Sequence, residues 1–369
     1  MSTLWHDLVY GARMLRKHPG FTALAVLTLA LGIGANTAIF SIVDWMLLRP
    51  LPVSHPEQVT FLAMQQEGHF SNGFSIPDLL DIQSQSTSVF SDVAGDGIGL
   101  SGGLTADGRT QPIQIGYVTG NFFRLTGIKP HLGRFILPSE GAVAGADPVI
   151  VLSYSYWATR FGSDPGIIGK KVAFDGHPVT VIGIAPEGFR GLISLLETQG
   201  YLPLGMQAVD GSRPPDFMTN RGSRSVLIAA RLKDGVSIEQ ARSVLSVIST
   251  RLSDQYPKTN HGMNLGAWPL GPQGPIANPS SSPFRSLGVV FLSLALLVLV
   301  LACLNVANML LVRATGRRRE MAVRAALGAA RGRLIRQLLS ESLVLAAAGC
   351  VAGIYLGLVA SRALSSLNL

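Results

Sequence analysis

LGVVFLSLALLVLVLACLNVANMLLV (residues 287–312) runs into RATGRRREMAVRAALGAARGRLIRQLLSES (313–342), which runs into LVLAAAGCVAGIYLGLVASRAL (343–364). The first block holds 26 residues without a charge, and the third holds 22 with only Arg362, near its end. At a rise of about 1.5 Å per residue, both exceed a hydrocarbon core of about 30 Å. Each therefore predicts a membrane-spanning helix; a buried helix of a soluble core would be shorter and punctuated by polar residues. Between them eight arginines fall within 24 residues, against Glu320 and Glu341 alone. A short loop this basic stays on the cytoplasmic side, which orients both spans.

Inside that loop Met321, Ala325 and Gly328, then Leu334, Ile335, Leu338 and Leu339, recur at helical spacing with arginines between them. The spacing predicts a short amphipathic helix, a break over 328–332, and a second helix running along the interface into the last span. Composition alone allows an orientation signal, a contact with anionic membrane lipid, or a docking surface. The order of residues 319–329 favours docking, because its small residues would let a partner approach the backbone closely.

Working outward, residues 1–20 and 313–341 together carry eleven Lys/Arg and three Asp/Glu, while the rest of the 369-residue chain balances 19 against 19. The net charge of +8 is therefore a topology signal and predicts no nucleic-acid partner. Residues 1–20, with Trp5, Arg13, Arg16 and Lys17, read as a cytoplasmic amphipathic lead-in that ends at Pro19-Gly20. Residues 21–43 are uncharged and predict the first span. A cleaved signal peptide would also begin with basic residues and an apolar core, but this core is long and continues through Ile39-Phe40, so the span is expected to be retained.

Two spans of opposite direction leave residues 44–286 outside the cytoplasm: a core domain over 44–261 and a linker over 262–286, the latter marked by five prolines and four glycines in residues 262–285. Strand-like runs fall at 113–118, 149–152, 179–184 and 225–232. Helical patterns fall at 154–161 and 237–256, the second opened by Ser237 and Gln240 as a capping box. The fold class expected is an α-helical membrane protein of three spans (21–43, 287–312, 343–364) with a large α+β domain inserted between the first two, and a short tail at 365–369. Cys303 and Cys350, the two cysteines, both lie in spans, so no disulfide framework holds the domain.

Within the spans, Asn36, Asn305 and Asn308 are costly unless paired and are expected to face another helix or a narrow polar seam. Gly349, Gly353 and Gly357 repeat every four residues and give one smooth face for close packing, against either another subunit or a helix of the same chain. No catalytic signature is present: Gly162 to Lys170 has the wrong spacing for a phosphate loop, and HExxH, GxSxG and CxxC are all missing. Neither a catalytic residue, a cofactor nor a metal ligand is predicted. If ATP drives this chain, another chain hydrolyses it.

RRREMAVRAALGAARGRLIRQLLSESLVLAAAGCVAGIYLG (317–357) resembles the region of MacB/FtsX-type ABC transporter permeases that receives the ATPase subunit. NFFRLTGIKP (121–130) with Leu132-Gly133-Arg134 is similar to a motif of the MacB-like periplasmic core domain. So are Tyr156-Trp157 with FGSDP (161–165) and Ile168-Gly169-Lys170, and VIGIAP (181–186). The opening HPGFTALAVLTLALGIGANTAIFSIVDWMLLRPLP (18–52) looks closest to long permeases of this family that carry two such halves. The resemblance implies a permease subunit, or a half-permease fragment, that passes ATPase motion to the far-side domain for efflux or extraction of substrate. It implies a bacterial inner-membrane location, a separate ATPase chain contacting Glu320, Arg324, Leu327, Gly328 and Arg331, and a homodimer or a second half-permease. A half of this family has four spans, so a fragment, or a second chain supplying the rest, is expected. The alternative is a non-transporting relay that activates an envelope partner such as a cell-wall hydrolase.

Overall fold

A computed structural model describes residues 13, 15–17, 19–43, 53–66, 68–97, 99, 101–192, 197–209, 211, 213–270, 283–316 and 331–366. It divides into a membrane unit, formed by both ends of the chain, and a domain unit between them, the boundaries falling near residues 47 and 283. Three helices are long and apolar enough to cross a membrane, over 19–41, 286–312 and 339–359. The α+β domain lies between the first and second of them, as the sequence predicts.

The membrane unit contains α1 (Pro19–Val43), and after the domain α7 (Pro283–Gly316) and α8 (Arg331–Ser366). Pro19 opens α1, where its missing N–H costs nothing. The side chain of Leu15 is buried against Ala25 and Leu345, so the end of the lead-in folds back onto the first and third spans. In α8 the second amphipathic segment and the last span form one unbroken helix of 36 residues.

In the domain unit, chain order gives β1 (Val59–Gln66), β2 (His69–Ser71), α2 (Ile76–Gln85), β3 (Phe90–Gly97), β4 (Ser101–Ala106), β5 (Arg109–Val118), α3 (Phe122–Thr126) and β6 (Leu132–Gly133). There follow β7 (Val149–Leu152), α4 (Tyr154–Phe161), β8 (Lys171–Phe174), β9 (His177–Ile184), β10 (Gly200–Pro203), β11 (Val226–Leu232), α5 (Ile238–Gln255), α6 (Pro257–Asn260) and β12 (Asn264–Pro269). All twelve strands share one sheet, ordered β10-β7-β9-β8-β4-β5-β3-β11-β1-β12, with β2 beside β1 and β6 beside β9. Because β10 also pairs in parallel with Ile115–Val118 of β5, the first six strands close into a ring. The remaining strands form an open sheet covered by α2 and α5.

Local chemistry sets several joints. The β4–β5 and β8–β9 hairpins turn through Asp107-Gly108 and Asp175-Gly176, all four with positive φ, the Asp-Gly signature of a type I′ turn. Helix α5 carries the expected capping box, with Gln240 N donating to Ser237 Oγ at 3.2 Å and Ser237 N donating to Gln240 Oε1 at 2.8 Å. Two of the blocks singled out in sequence form one contact: β6 pairs with β9 at Leu132↔Ile184 and Gly133↔Gly183. A Cβ on Gly183 would run into the carbonyl of Arg134, so glycine there is a condition of the pairing. In another block, Trp157 Nε1 donates to the Asp164 carbonyl at 2.9 Å and Asp164 caps the short turn that follows.

One expectation is corrected. Residues 264–269, assigned to the linker by their surrounding proline and glycine, form β12, antiparallel to β1 from Thr60↔Pro269 to Gln65↔Asn264. Alternating burial of Leu265 and Ala267 outweighs the local turn composition. The outer edge of β12 is then stopped by α5: Leu265 N donates to Ser249 Oγ at 2.6 Å, and Arg242 Nε donates to the Ala267 carbonyl at 2.9 Å. Side chains thus occupy edge groups that would otherwise be open to another strand.

Candidate functional site

In the membrane unit the third span is laid against the first by its glycines. A methyl placed on Gly349 would stand 2.5 Å from Leu29 Cβ, on Gly353 2.7 Å from Ile33 Cβ, and on Gly357 2.7 Å from Thr37 Cβ. The partners also advance by four residues, so one turn of α8 meets one turn of α1. Gly34 returns the contact, its open side lying 3.3 Å from the Gly353 carbonyl. On the second span Ala302 approaches Gly32, 2.6 Å from where a Cβ would be. Such close approach maximises dispersion contact between helices that gain nothing from water exclusion in lipid.

The three asparagines part company. Asn36 Nδ2 donates to the Gly32 carbonyl of its own helix at 2.8 Å. Asn305 and Asn308, expected against another helix, are exposed on α7. Of the residues expected to receive an ATPase, Glu320, Arg324, Leu327 and Gly328 lie outside the described residues. Arg331 is the first residue of α8, and its side chain lies outside them too. Sequence reasoning passed over Ser340 and Glu341, which α8 buries at 8% and 6% exposure one turn before Leu345. A buried carboxyl at the entry to a span is costly unless it has partners, and a glutamate in a basic loop reads in sequence as a solvated charge.

The first and last described segments of the domain lie side by side. On entry, Ser54 N donates to the Thr126 carbonyl at 2.9 Å. Arg231, on β11, gathers the same segment: Nη2 donates to the Ser54 carbonyl at 2.6 Å, Nη1 to Gln58 Oε1 at 3.1 Å and Nε to the Leu125 carbonyl at 2.7 Å. On exit, Leu270 N donates to the Val59 carbonyl at 3.0 Å. Entry and exit are thus tied to the same end of β1, and Arg231 fastens that end to β11 and to the Leu125 carbonyl of α3.

Two buried polar groups stand out in the domain. Asp78, fully buried on α2, accepts from Arg221 Nη1 at 2.7 Å, from Asn260 Nδ2 at 2.8 Å and from Ser75 Oγ at 2.7 Å. Arg221 also pairs with Asp81 and lies 3.5 Å over the Tyr256 ring. Asp96, on β3, sits where β3 meets β5 through only Asp96↔Val118 and Gly97↔Tyr117. Among the described residues it has no such cation, and burial pushes its carboxyl up to about 7. Burial, then the neighbouring Asp96, raises the Tyr201 hydroxyl as well. Among the described residues no group of His, Cys, Asp and Glu could hold a metal ion. Among the described residues none of these arrangements assembles a nucleophile with a base.

The family model described as the MacB-like periplasmic core domain matches residues 22–246, and that of the FtsX-like permease C-terminal region matches 292–369. The pyoverdine export ATP-binding/permease protein PvdT of Pseudomonas syringae is 26% identical over 234 residues, covering 61% of this chain and 32% of PvdT. The macrolide export ATP-binding/permease protein MacB of Neisseria meningitidis is 26% identical over 247 residues, covering 66% of this chain and 34% of MacB. The chain thus spans about a third of the length of these curated relatives. The crystal structure of the periplasmic region of MacB from Actinobacillus actinomycetemcomitans superposes with a TM-score of 0.43 at 17% identity, covering 59% of this chain and 91% of that one.

Proposed function

This chain belongs to the permeases with a MacB-like periplasmic core domain and an FtsX-like transmembrane region, and from that premise we propose that it is the lever of an ABC system. A separate ATPase chain docks on the cytoplasmic segment 313–342, through Glu320, Arg324, Leu327, Gly328 and Arg331. Its closure moves the spans, and the extracytoplasmic domain turns that motion into efflux or extraction of substrate outside the membrane. The N-terminus is cytoplasmic, residues 44–286 face away from the cytoplasm, and the membrane is the bacterial cell membrane. A second copy of the chain, or a second half-permease, completes the assembly.

The observation that carries this reading is the unbroken path through the membrane unit. Helix α8 runs from Arg331 to Ser366 without a break, about 54 Å at the helical rise. Its glycines hold it at a fixed close distance from α1, so a tilt of α8 carries α1 with it. Eleven residues past the end of α1, Ser54 is pinned into the domain by the Thr126 carbonyl and Arg231. The spans themselves carry few polar groups, which supports a lever over an aqueous channel.

A lever can equally pull on an envelope partner, the relay reading, and the same sparse polarity supports it. Gly328→Trp separates both from an unpowered role: it abolishes co-purification of an ATPase from membranes while leaving membrane insertion intact. Unchanged co-purification would overturn the docking assignment. Transport of a solute in reconstituted vesicles would then favour efflux, and activation of a cell-wall hydrolase the relay.

A further inference from the structure

Asp96 is buried close to a segment that few hydrogen bonds hold. On its face of β3 the carboxyl meets Tyr201 of β10 across Gly116 of β5. A Cβ on Gly116 would stand 3.8 Å from Asp96 Oδ1, 3.5 Å from Tyr201 Cδ1 and 3.1 Å from Thr198 Cγ2. Tyr201 and Thr198 in turn bear on residues 186–192, which follow β9: a Cβ on Gly191 would lie 3.4 Å from the Tyr201 hydroxyl and 3.2 Å from Thr198 Oγ1. Among the described residues, two backbone hydrogen bonds involve this segment. Phe189 N donates to the Pro186 carbonyl at 3.2 Å, and Thr198 N donates to the Arg190 carbonyl at 3.4 Å. Neither reaches a strand. The segment is seated by side chains instead: Leu192 is buried, and so is Phe189, whose ring lies 6.5 Å from Phe122, 6.2 Å from Phe123 and 5.8 Å from Tyr201. Gly188 and Gly191, on either side of Phe189, both take positive φ.

We propose that residues 186–192 are a proton-controlled flap, closed over Tyr201 and its aromatic neighbours while Asp96 is protonated and displaced when Asp96 ionises. An ionised carboxyl buried without a cation is costly, so ionisation favours whatever rearrangement brings water to it. The strands cannot supply that cheaply. β3 is paired with β11 along its whole length, and β10 is paired on both sides, by β5 and β7. The flap can yield without breaking a ladder. Around Asp96, Tyr201 of β10 and Glu197 bring no positive charge, and Asp92 further along β3 is paired with Arg124 of α3. Leu227 opposite on β11, and Gly116 and Val118 on β5, bring no charge at all. Arg231 of β11 is turned to Ser54, Gln58 and Leu125. Among the described residues the flap's own Glu187 and Arg190 make no bond to Asp96.

Burial holds the closed form's carboxyl at about 7 against an ordinary 3.8. The stability this gives to the closed form is complete below about pH 4 and is lost as pH rises to 7, so opening grows with pH over that window. Displacement would uncover Phe122, Phe123 and Tyr201, an apolar aromatic surface. That this surface meets the surroundings of the cell rests on the orientation proposed above; the switch itself needs only the domain's packing.

The test uses the full chain in detergent, with Cys303→Ala and Cys350→Ala, and reads thiol labelling at Leu192→Cys from pH 5 to pH 8. Each rate is divided by that of the urea-unfolded chain at the same pH, which removes the titration of the thiol. The normalised rate rises roughly a hundredfold over this range, and Asp96→Asn abolishes the rise. Ala230→Cys, buried in β11, stays protected throughout. In the chain with its natural residue at 192, thermolysin cleavage before Phe189, taken relative to Asp96→Asn at each pH, follows the same profile. A flat profile, a rise that persists in Asp96→Asn, or an equal rise at Ala230→Cys, which would mean unfolding of the whole domain, would each overturn the flap. None of these outcomes touches the lever reading, which stands or falls on recovery of an ATPase.

Discussion

The domain and the membrane unit are held together by opposite means. In the domain, several polar groups taken out of water are matched individually: Asp78 by Arg221, Asn260 and Ser75, the entry segment by Arg231, the β12 edge by Ser249 and Arg242. In the membrane unit the contacts are made by what is missing, the Cβ atoms of Gly349, Gly353 and Gly357. Polar matching fixes position, because a shifted hydrogen bond is a lost one. Glycine contacts between smooth helices fix distance while leaving rotation and sliding cheaper. The lever proposed for this chain needs that division: one body that keeps its shape and one that can shift register.

The largest effect expected from breaking this division is in the domain. Arg221→Met leaves the Asp78 carboxyl buried with only two of its partners, and loss of one member of a buried ion pair costs about 3–5 kcal/mol. Urea unfolding of the full chain in detergent, followed through Trp157 and Trp268, reads the loss. A second substitution, Asp78→Asn, recovers part of it if the buried charge is the cause. If Arg221→Met were neutral, polar matching would not be what holds this part of the domain.

Asp96 is where the domain departs from its own rule, and it sharpens the comparison. Its carboxyl is raised from 3.8 to about 7 by burial, so the folded state holds the proton more tightly than the unfolded chain does. The stability this contributes is complete below about pH 4 and is lost as pH rises towards 7, where folding must bury a charge. At about 1.4 kcal/mol per pH unit the whole window is on the order of 4 kcal/mol. The urea midpoint therefore falls between pH 5 and pH 7 and levels off above that. Asp96→Asn flattens the profile and stabilises the domain at pH 8. An unchanged slope in that variant would mean that the pH dependence lies elsewhere.

What the sequence makes legible follows from how local each feature is. The three spans, the α5 capping box and the β7–α4 segment depend on neighbours in the chain, and the structure places them where periodicity and caps predict. The Leu132-Gly133-Arg134 and VIGIAP blocks stood out in sequence, but their reason, two backbones meeting at Gly133 and Gly183, is 50 residues long-range. The closed ring rests on four residues of β10 lying parallel to β5, too short a segment to carry a period. Asp96 sits in a stretch rich in aspartate and glycine that reads as a turn; only the strands around it make it buried. Asn305 and Asn308 were legible as polar groups in a span, but which way they face depends on where Ala302 packs. Of the residues expected to dock an ATPase, Glu320, Arg324, Leu327 and Gly328 and the side chain of Arg331 lie outside the described residues, so their placement rests on the sequence pattern alone.

The smallest predicted effect tests the membrane side. Gly353→Leu puts a branched side chain where Ile33 Cβ and the Ala30 carbonyl already stand, at 2.7 and 3.2 Å from the new Cβ. Overpacking of this kind costs about 1–3 kcal/mol. Because the strain can be relieved by parting α1 from α8, it should surface as local opening: hydrogen exchange over residues 26–37 speeds up by roughly tenfold to a hundredfold. Exchange in β1 and β11 stays unchanged, since no polar match in the domain is touched. Gly20→Leu, at a position with nothing within 4 Å, serves as the control and leaves both regions as they were. If Gly353→Leu instead slowed nothing and opened nothing, the spans would be tolerating a shifted register already. The glycine row would then be a track along which α8 moves, and its depth, not its closeness, would be the property to vary next.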